Sequence, residues 1–347
     1  MSTLTRRARA VLVVAGTVLL LTLVLPSVAG ARWGAVADTL TGVPPLWLAG
    51  LTAVWAGGLL LHSITLTAAL PGLSHRRALT LSLTGSAVAN VLPVGGAAGV
   101  LLNHRMVRGW GHDGDDFAAY TVVTNLWDVL AKLLVPLAAA PLLLLSHDPL
   151  LRRLAVPASV GAGVLALVVL VVGALIGSER LTALLGRRLD RAVAVAAGWV
   201  HREPGRWGSR LVAVRRGCAD VVRAGWGRLS LGMVLYTAAL VLLLWGCCTV
   251  VGAAVTVPAL LAGFAVERLC TLAGLTPGGA GVVEVGLTSV LVAFGGLPVP
   301  VVAAVLLYRL FTFGLEIPVG AAGLLAWGVA RRRAATRSAR AGWAAAA

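Results

Sequence analysis

Apolar positions in this chain fall in long blocks rather than in stripes. Runs with few interruptions cover about residues 10–29, 45–71, 78–102, 116–146, 154–176, 229–250, 258–295 and 300–330. A helix needs about 20 apolar residues to cross the hydrocarbon core of a bilayer, and runs of that length read as spans. The pattern predicts an all-α integral membrane protein. Six of the runs are expected to be transmembrane helices. The other two, 78–102 and 258–295, carry a break in the middle and are expected to be re-entrant helical hairpins.

The breaks are rich in the residues that interrupt a helix. In the first, Pro93, Gly95, Gly96 and Gly99 fall within NVLPVGGAAG; in the second, Pro277, Gly278, Gly279 and Gly281 fall within TPGGAG. Proline removes a backbone donor and glycine permits a tight turn, so the chain can enter and leave by the same side. The first hairpin has basic residues on both flanks, His75, Arg76 and Arg77 before it and Arg105 and Arg108 after it. Basic flanks mark the cytoplasmic side. The second hairpin has none on its outer flanks, which places its open end outside.

These features define a repeat. Residues 45–146 and 229–330 each read as span, broken hairpin, span, with Pro136 and Pro318 at matching places in the closing spans. Opposite flanks make the two repeats inverted, a transporter design in which broken helices meet near the midplane. Residues 1–44 form an N-terminal span and outer loop, and 147–228 a connecting span and a basic segment. Residues 331–347 form a cytoplasmic basic tail. Arg6, Arg7 and Arg9 before the first run, with Ala29-Gly30-Ala31 after it, also fit a signal peptide. The run is longer than such an apolar region, which favours a retained span.

Charge sharpens the picture. The chain is 59% hydrophobic and 12% charged, with a formal charge of +16. Nearly all basic residues border spans, so the charge sets orientation and does not point to nucleic acid. The stretch 177–228 holds 11 arginines among Leu, Val and Trp. It reads as one or two amphipathic helices on the cytoplasmic surface, partnered by anionic lipid. The four cysteines lack metal spacing, and no metal or cofactor is expected. No Walker-type phosphate loop occurs either, which argues against an ATP-driven pump.

Inside the apolar runs stand four acids and three bases: Asp128, Glu267, Glu284 and Glu316, with Lys132, Arg268 and Arg309. Each needs a partner or a wet cavity, because a charge at mid-bilayer costs about 2.5 kcal/mol or more. Asp128 and Lys132 are four apart on one helical face, and Arg309 and Glu316 are seven apart, two turns along one face. Glu284 has no basic neighbour in sequence, and Arg268 or Arg309 could approach it. Arginine grips phosphate with a planar fork of donors, and a helix start at a glycine-rich break adds free N–H groups. The cluster suits an amphiphile with a phosphate head, with Glu284 delivered by the Gly-Gly break to a cavity shared with Arg309.

The motifs NVLPVGGAAG, LWDVL, TPGGAGVVE and LLYRL together resemble the flippase-like family named for the membrane part of lysylphosphatidylglycerol synthases. The resemblance covers roughly residues 45–330. It implies two inverted repeats with re-entrant helices and the transbilayer movement of a phospholipid or related lipid. Glu284 and Arg309 match the charged positions of the motifs, and Asn90 falls in the first break. An arginine is usual three residues before the aspartate of LWDVL; here that position is Asn125, a departure that bears on phosphate gripping by the first repeat. With about 17 residues after the last span, the soluble aminoacyl-transfer domain is expected to be absent.

The expected function is a lipid flippase or translocator for a phospholipid or polyprenyl-phosphate-type lipid, in a bacterial-type cell membrane with both termini cytoplasmic. Two alternatives stay open. One is a membrane partner or scaffold for a lipid-modifying synthase or glycosyltransferase. The other is a group-transferring membrane enzyme, for which Asp113, Asp115 and Asp116 are the only acid cluster, although acids there also suit the start of a helix. No residue is assigned a catalytic role.

Overall fold

A computed structural model of the chain describes residues 19–92, 95–144, 207–273 and 276–346, together with Gly16 and scattered positions between 161 and 188. Among the described residues there are helices and turns and no strand, so the all-α expectation holds. Among the described residues, four helices are long and apolar enough to cross a membrane: Pro45–Ala69, Gly114–Leu137, Val212–Val250 and Pro298–Arg333. The start of the run at 10–29 and much of the run at 154–176 fall outside the described residues. So do Pro93 and the basic segment from 189 to 206.

After a short helical stretch ending at Ala29 come α1 (Trp33–Thr41) and α2 (Pro45–Ala69). Two prolines set the start of α2, since Pro45 stands where an N–H would have no partner in the helix. The first hairpin follows as α3 (His75–Val91) and α4 (Gly95–Gly109). Ser74 caps α3, its Oγ accepting from the backbone N–H of Arg77 at 3.4 Å. Helix α5 (Gly114–Leu144) begins with Asp115 and Asp116 in its first turn, where the helix dipole favours negative charge. Asp113, just before it, pairs with Arg108 at 3.1 Å.

Helix α6 runs without interruption from Trp207 to Val250, 44 residues. The sequence suggested a surface helix ending near 228 and a separate span from 229. No proline or turn glycine divides them, and the basic half is held by protein rather than lying free on a surface. Cys218, Ala219 and Leu229 are buried against α2 and α5, and Thr65 Oγ1 donates to the carbonyl of Leu229 at 3.0 Å. At about 1.5 Å per residue the helix is about 66 Å long. That is roughly twice the hydrocarbon thickness, so its arginine-bearing end projects beyond it.

The second hairpin is α7 (Val257–Ala273) and α8 (Val282–Ala293), with a tight turn at Pro277–Gly279 before α8. The closing span is α9 (Pro298–Arg309) and α10 (Glu316–Ala346), linked by a π-helical turn over Leu310–Gly314. The hairpin arms number 17, 15, 17 and 12 residues. None reaches the roughly 20 needed to span alone.

The packing is reciprocal. Helices α2 and α6 lie against one another along the middle of the molecule. The first arm of each hairpin then rests on the closing helix of the other half: α3 on α10, and α7 on α5. One buried core gathers Leu243, Phe264, Leu287, Leu291 and Tyr308; a second gathers Leu70, Leu81, Met106, Phe117 and Leu229. Outward faces carry exposed Leu60, Leu101, Leu134 and Leu325, as a surface in contact with lipid chains should.

Candidate functional site

The two hairpin tips meet between these cores. At the first tip, Gly95 lets the arms close up, since a Cβ there would lie 2.5 Å from the carbonyl oxygen of Ala89. At the second, Gly278 has φ 57°, and a Cβ on it would fall 2.4 Å from the Phe313 ring and 2.6 Å from Oδ1 of Asn90. Only glycine fits that position, on backbone and on space alike. The close approach of Asn90 shows that the first hairpin touches the turn of the second.

A turn of this kind inside an apolar body leaves backbone groups without helical partners. Glu284, in the first turn of α8, supplies one remedy: its Oε2 accepts from the N–H of Gly281 at 2.7 Å. Its Oε1 accepts from Nε of Arg309 at 2.8 Å. Arg309 in turn donates through Nη2 to the carbonyl of Gly278 at 2.8 Å and lies over the Phe313 ring at 4.9 Å. One carboxylate and one guanidinium thus tie the tip to α9. Both are buried, at 4% and 6% exposure.

Two further ion pairs lie close by. Glu267 and Arg268 are neighbours in sequence, and Arg268 donates through Nε and Nη2 to both carboxylate oxygens. Its Nη2 also points to the hydroxyl of Tyr308 at 3.4 Å, and its guanidinium lies over Phe264. Lys132 pairs with Asp128 at 2.7 Å across one turn of α5.

A cavity of about 740 Å³ opens between the tips. Its wall carries Asp128 and Lys132 from α5, Glu267 and Arg268 from α7, Arg309 from α9 and Glu316 from α10. Asn90, Gly95 and Gly96 come from the first hairpin, and Pro277, Gly278 and Gly279 from the second. A polar, charged hollow in the middle of an apolar bundle can take a charged headgroup from the membrane while its chains stay in lipid. A second hollow, about 670 Å³, lies at the far end of α2 beside Asp116, Asp220 and Arg228.

Three expectations about placement do not hold. Glu284 does not line the cavity: both its oxygens are occupied behind Arg309, which stands between it and the hollow. Asn125 is exposed on α5 and donates to the carbonyl of Thr121 at 2.7 Å, one turn back on its own helix and away from the cavity. Arg309 and Glu316 both reach the cavity, yet they do not pair. The π turn between them adds width to the helix and breaks the seven-residue register. Glu316 instead comes within hydrogen-bonding reach of Ser86 and Asn90 on the first hairpin.

Sequence reasoning also passed over part of the wall. Ser82 and Ser86 were missed: they stand eight and four residues before the expected Asn90 on one face of α3 and line the cavity with it. That polar stripe within an apolar run was the available signal. His62 and Tyr236, stacked at 4.4 Å between α2 and α6, also line the cavity. Their pairing is made across the bundle and leaves no local mark in the sequence.

No curated protein matches the chain. The family described as "Lysylphosphatidylglycerol synthase TM region" matches residues 10–323, nearly the whole of it. The chain belongs to the family of the lysylphosphatidylglycerol synthase transmembrane region.

Proposed function

We propose that this protein is a lipid translocator that carries a phosphate-bearing headgroup, of a phospholipid or a polyprenyl-phosphate-type lipid, across the cell membrane. The observation that carries the reading is the charged cavity between two hairpin tips, set within helices whose outer faces are apolar. Arg309, Arg268 and Lys132 bring three cations to one hollow. Guanidinium groups bind phosphate through paired donors, and a bound head would share them with the carboxylates already there. Short arms from both halves bound the cavity. Rocking of one half against the other would therefore expose it to each side in turn, as broken-helix transporters do.

The state of three of the four acids in the apolar core weighs against group transfer. Asp128, Glu267 and Glu284 are each tied to a base, which leaves them poorly disposed to act as a general base or nucleophile. The re-entrant character of the hairpins and the inversion of the repeats belong to the same proposal. Reciprocal packing of α3 on α10 and α7 on α5 supports them.

The test uses the purified full-length protein in liposomes with headgroup-labelled phospholipids and a labelled polyprenyl phosphate. Faster movement of at least one lipid than in protein-free vesicles is expected, with loss of that movement in Arg309→Gln. Rates equal to protein-free vesicles across the whole panel would sink the reading.

A further inference from the structure

Charge accounting around the cavity leaves one group over. Asp128 is paired with Lys132, Glu267 with Arg268, and Glu284 with Arg309. Among the described residues these three pairs use every lysine and arginine on the cavity wall. Glu316 lines the same cavity, takes part in no ion pair among those residues, and faces the hydroxyl of Ser86 and the amide of Asn90. Arg309 and Arg268 attract it from farther off, but each already has a carboxylate of its own.

An acid inside a membrane protein without its own base has two ways to meet the cost of burial: bind a cation or hold a proton. The neighbours of Glu316 can accommodate the proton. A neutral carboxyl can donate to an oxygen of Ser86 or Asn90 and accept from the other; an ionised one can only accept. The cavity gives the proton a wet route, because the site opens on the hollow and not on packed side chains.

The position has a mechanical side. Asn90 touches Glu316 on one hand and, on the other, crowds Gly278 at the tip of the second hairpin. A change of charge on Glu316 alters what Asn90 can donate or accept at the one place where the two hairpins meet. We propose that Glu316 is the proton-exchange site of the cavity. It holds a proton while the tips are closed together and releases it to cavity water as they part. The other ionisable groups facing that hollow are Asp128, Lys132, Glu267, Arg268, Arg309, His62 and Tyr236. The first five are salt-bridged, and His62 and Tyr236 are stacked on each other.

The proposal deepens the translocator reading and rests on it for its purpose, so its test needs a readout that does not depend on lipid movement. Dicyclohexylcarbodiimide, an apolar reagent, modifies carboxyl groups that carry a proton. Full-length protein in vesicles would be treated across a pH series and mapped by mass spectrometry. Expected is modification at Glu316 that falls about tenfold per pH unit above its midpoint, as a single proton demands, with Asp128, Glu267 and Glu284 unmodified. Absence of label at Glu316 at every pH, or equal label on the paired acids, overturns the proposal even if lipid moves. In the transport assay, Glu316→Gln is expected to move lipid at a rate that no longer varies with pH, whereas the parent's rate varies. Labelling at Glu316 without any lipid movement would instead leave the proton site standing and remove the translocator reading. A Glu316→Gln profile that still follows the parent's would separate the proton from transport and overturn the proposed coupling.

Discussion

Glu284 holds Arg309 at 2.8 Å while its other oxygen takes the N–H of Gly281, so one side chain caps a helix and orients a guanidinium at once. The carboxylate therefore stands behind the site, and the arginine stands in it. Removing either partner strands a buried charge, which costs about 3–5 kcal/mol where a pair is well enclosed. Glu284→Gln keeps an acceptor for Gly281 but removes the charge that balances Arg309. Both single changes, Glu284→Gln and Arg309→Gln, are expected to lower thermal stability in detergent, and the double change to recover part of the loss. Coupling near zero in that cycle would show that the two side chains act independently. Substrate contact is a separate matter. Arg309 lines the cavity and Glu284 does not, so any lipid movement left in a folded Glu284→Gln protein should exceed that in Arg309→Gln.

Two glycines of the hairpin breaks make a matched pair for a second test. Gly278 combines φ 57° with atoms of Phe313 and Asn90 where a methyl group would go. Gly278→Ala should lose about 1–3 kcal/mol from the backbone alone, with the steric clash added. Gly96 sits in the first turn of α4 with nothing within 4 Å of a Cβ. There, alanine should be neutral or stabilise by up to about 1 kcal/mol, by helix propensity. Unfolding midpoints of the two purified variants check this directly. Equal effects would mean that the tip-to-tip contact at Asn90 does not hold in the folded protein.

How far the sequence carried this picture follows from what sets each feature. Span limits were readable because they answer to the apolar length and to punctuation: α2 begins at its proline pair and ends before Pro71-Gly72, as the run predicted. The two helix breaks were readable because proline and glycine cluster there within a few residues. So was the gathering of charges, since buried ions need company. The partners of those charges were not. A five-residue π turn, LFTFG, rotates everything after Arg309, and nothing in those residue types announces the extra width. The role of Glu284 depended on where the N–H of Gly281 points, which is tertiary detail. The length of α6 was hidden because a basic amphipathic face and an apolar span can share one uninterrupted helix.

The proposed inversion of the two repeats makes a prediction about sidedness. All four hairpin arms are too short to cross alone, and the tips meet, so each hairpin's open end must lie toward a membrane face. Arg76, Arg77, Arg105 and Arg108 gather at the open end of the first hairpin, while the second has no basic residue at its own open end. Cations near span ends are retained on the cytoplasmic side, so the two open ends should face opposite ways. Single cysteines at Arg76, Arg105 and Leu297, all exposed positions, report on this once Cys218, Cys247, Cys248 and Cys270 are replaced. In intact cells a membrane-impermeant maleimide should label the Leu297→Cys protein and spare the other two, which should label only after the membrane is opened. If Arg76→Cys and Leu297→Cys proteins label from the same side, the hairpins enter together. The charged cavity would then open toward one face alone, and a carrier that exposes its site to each side in turn could not be built from these two halves.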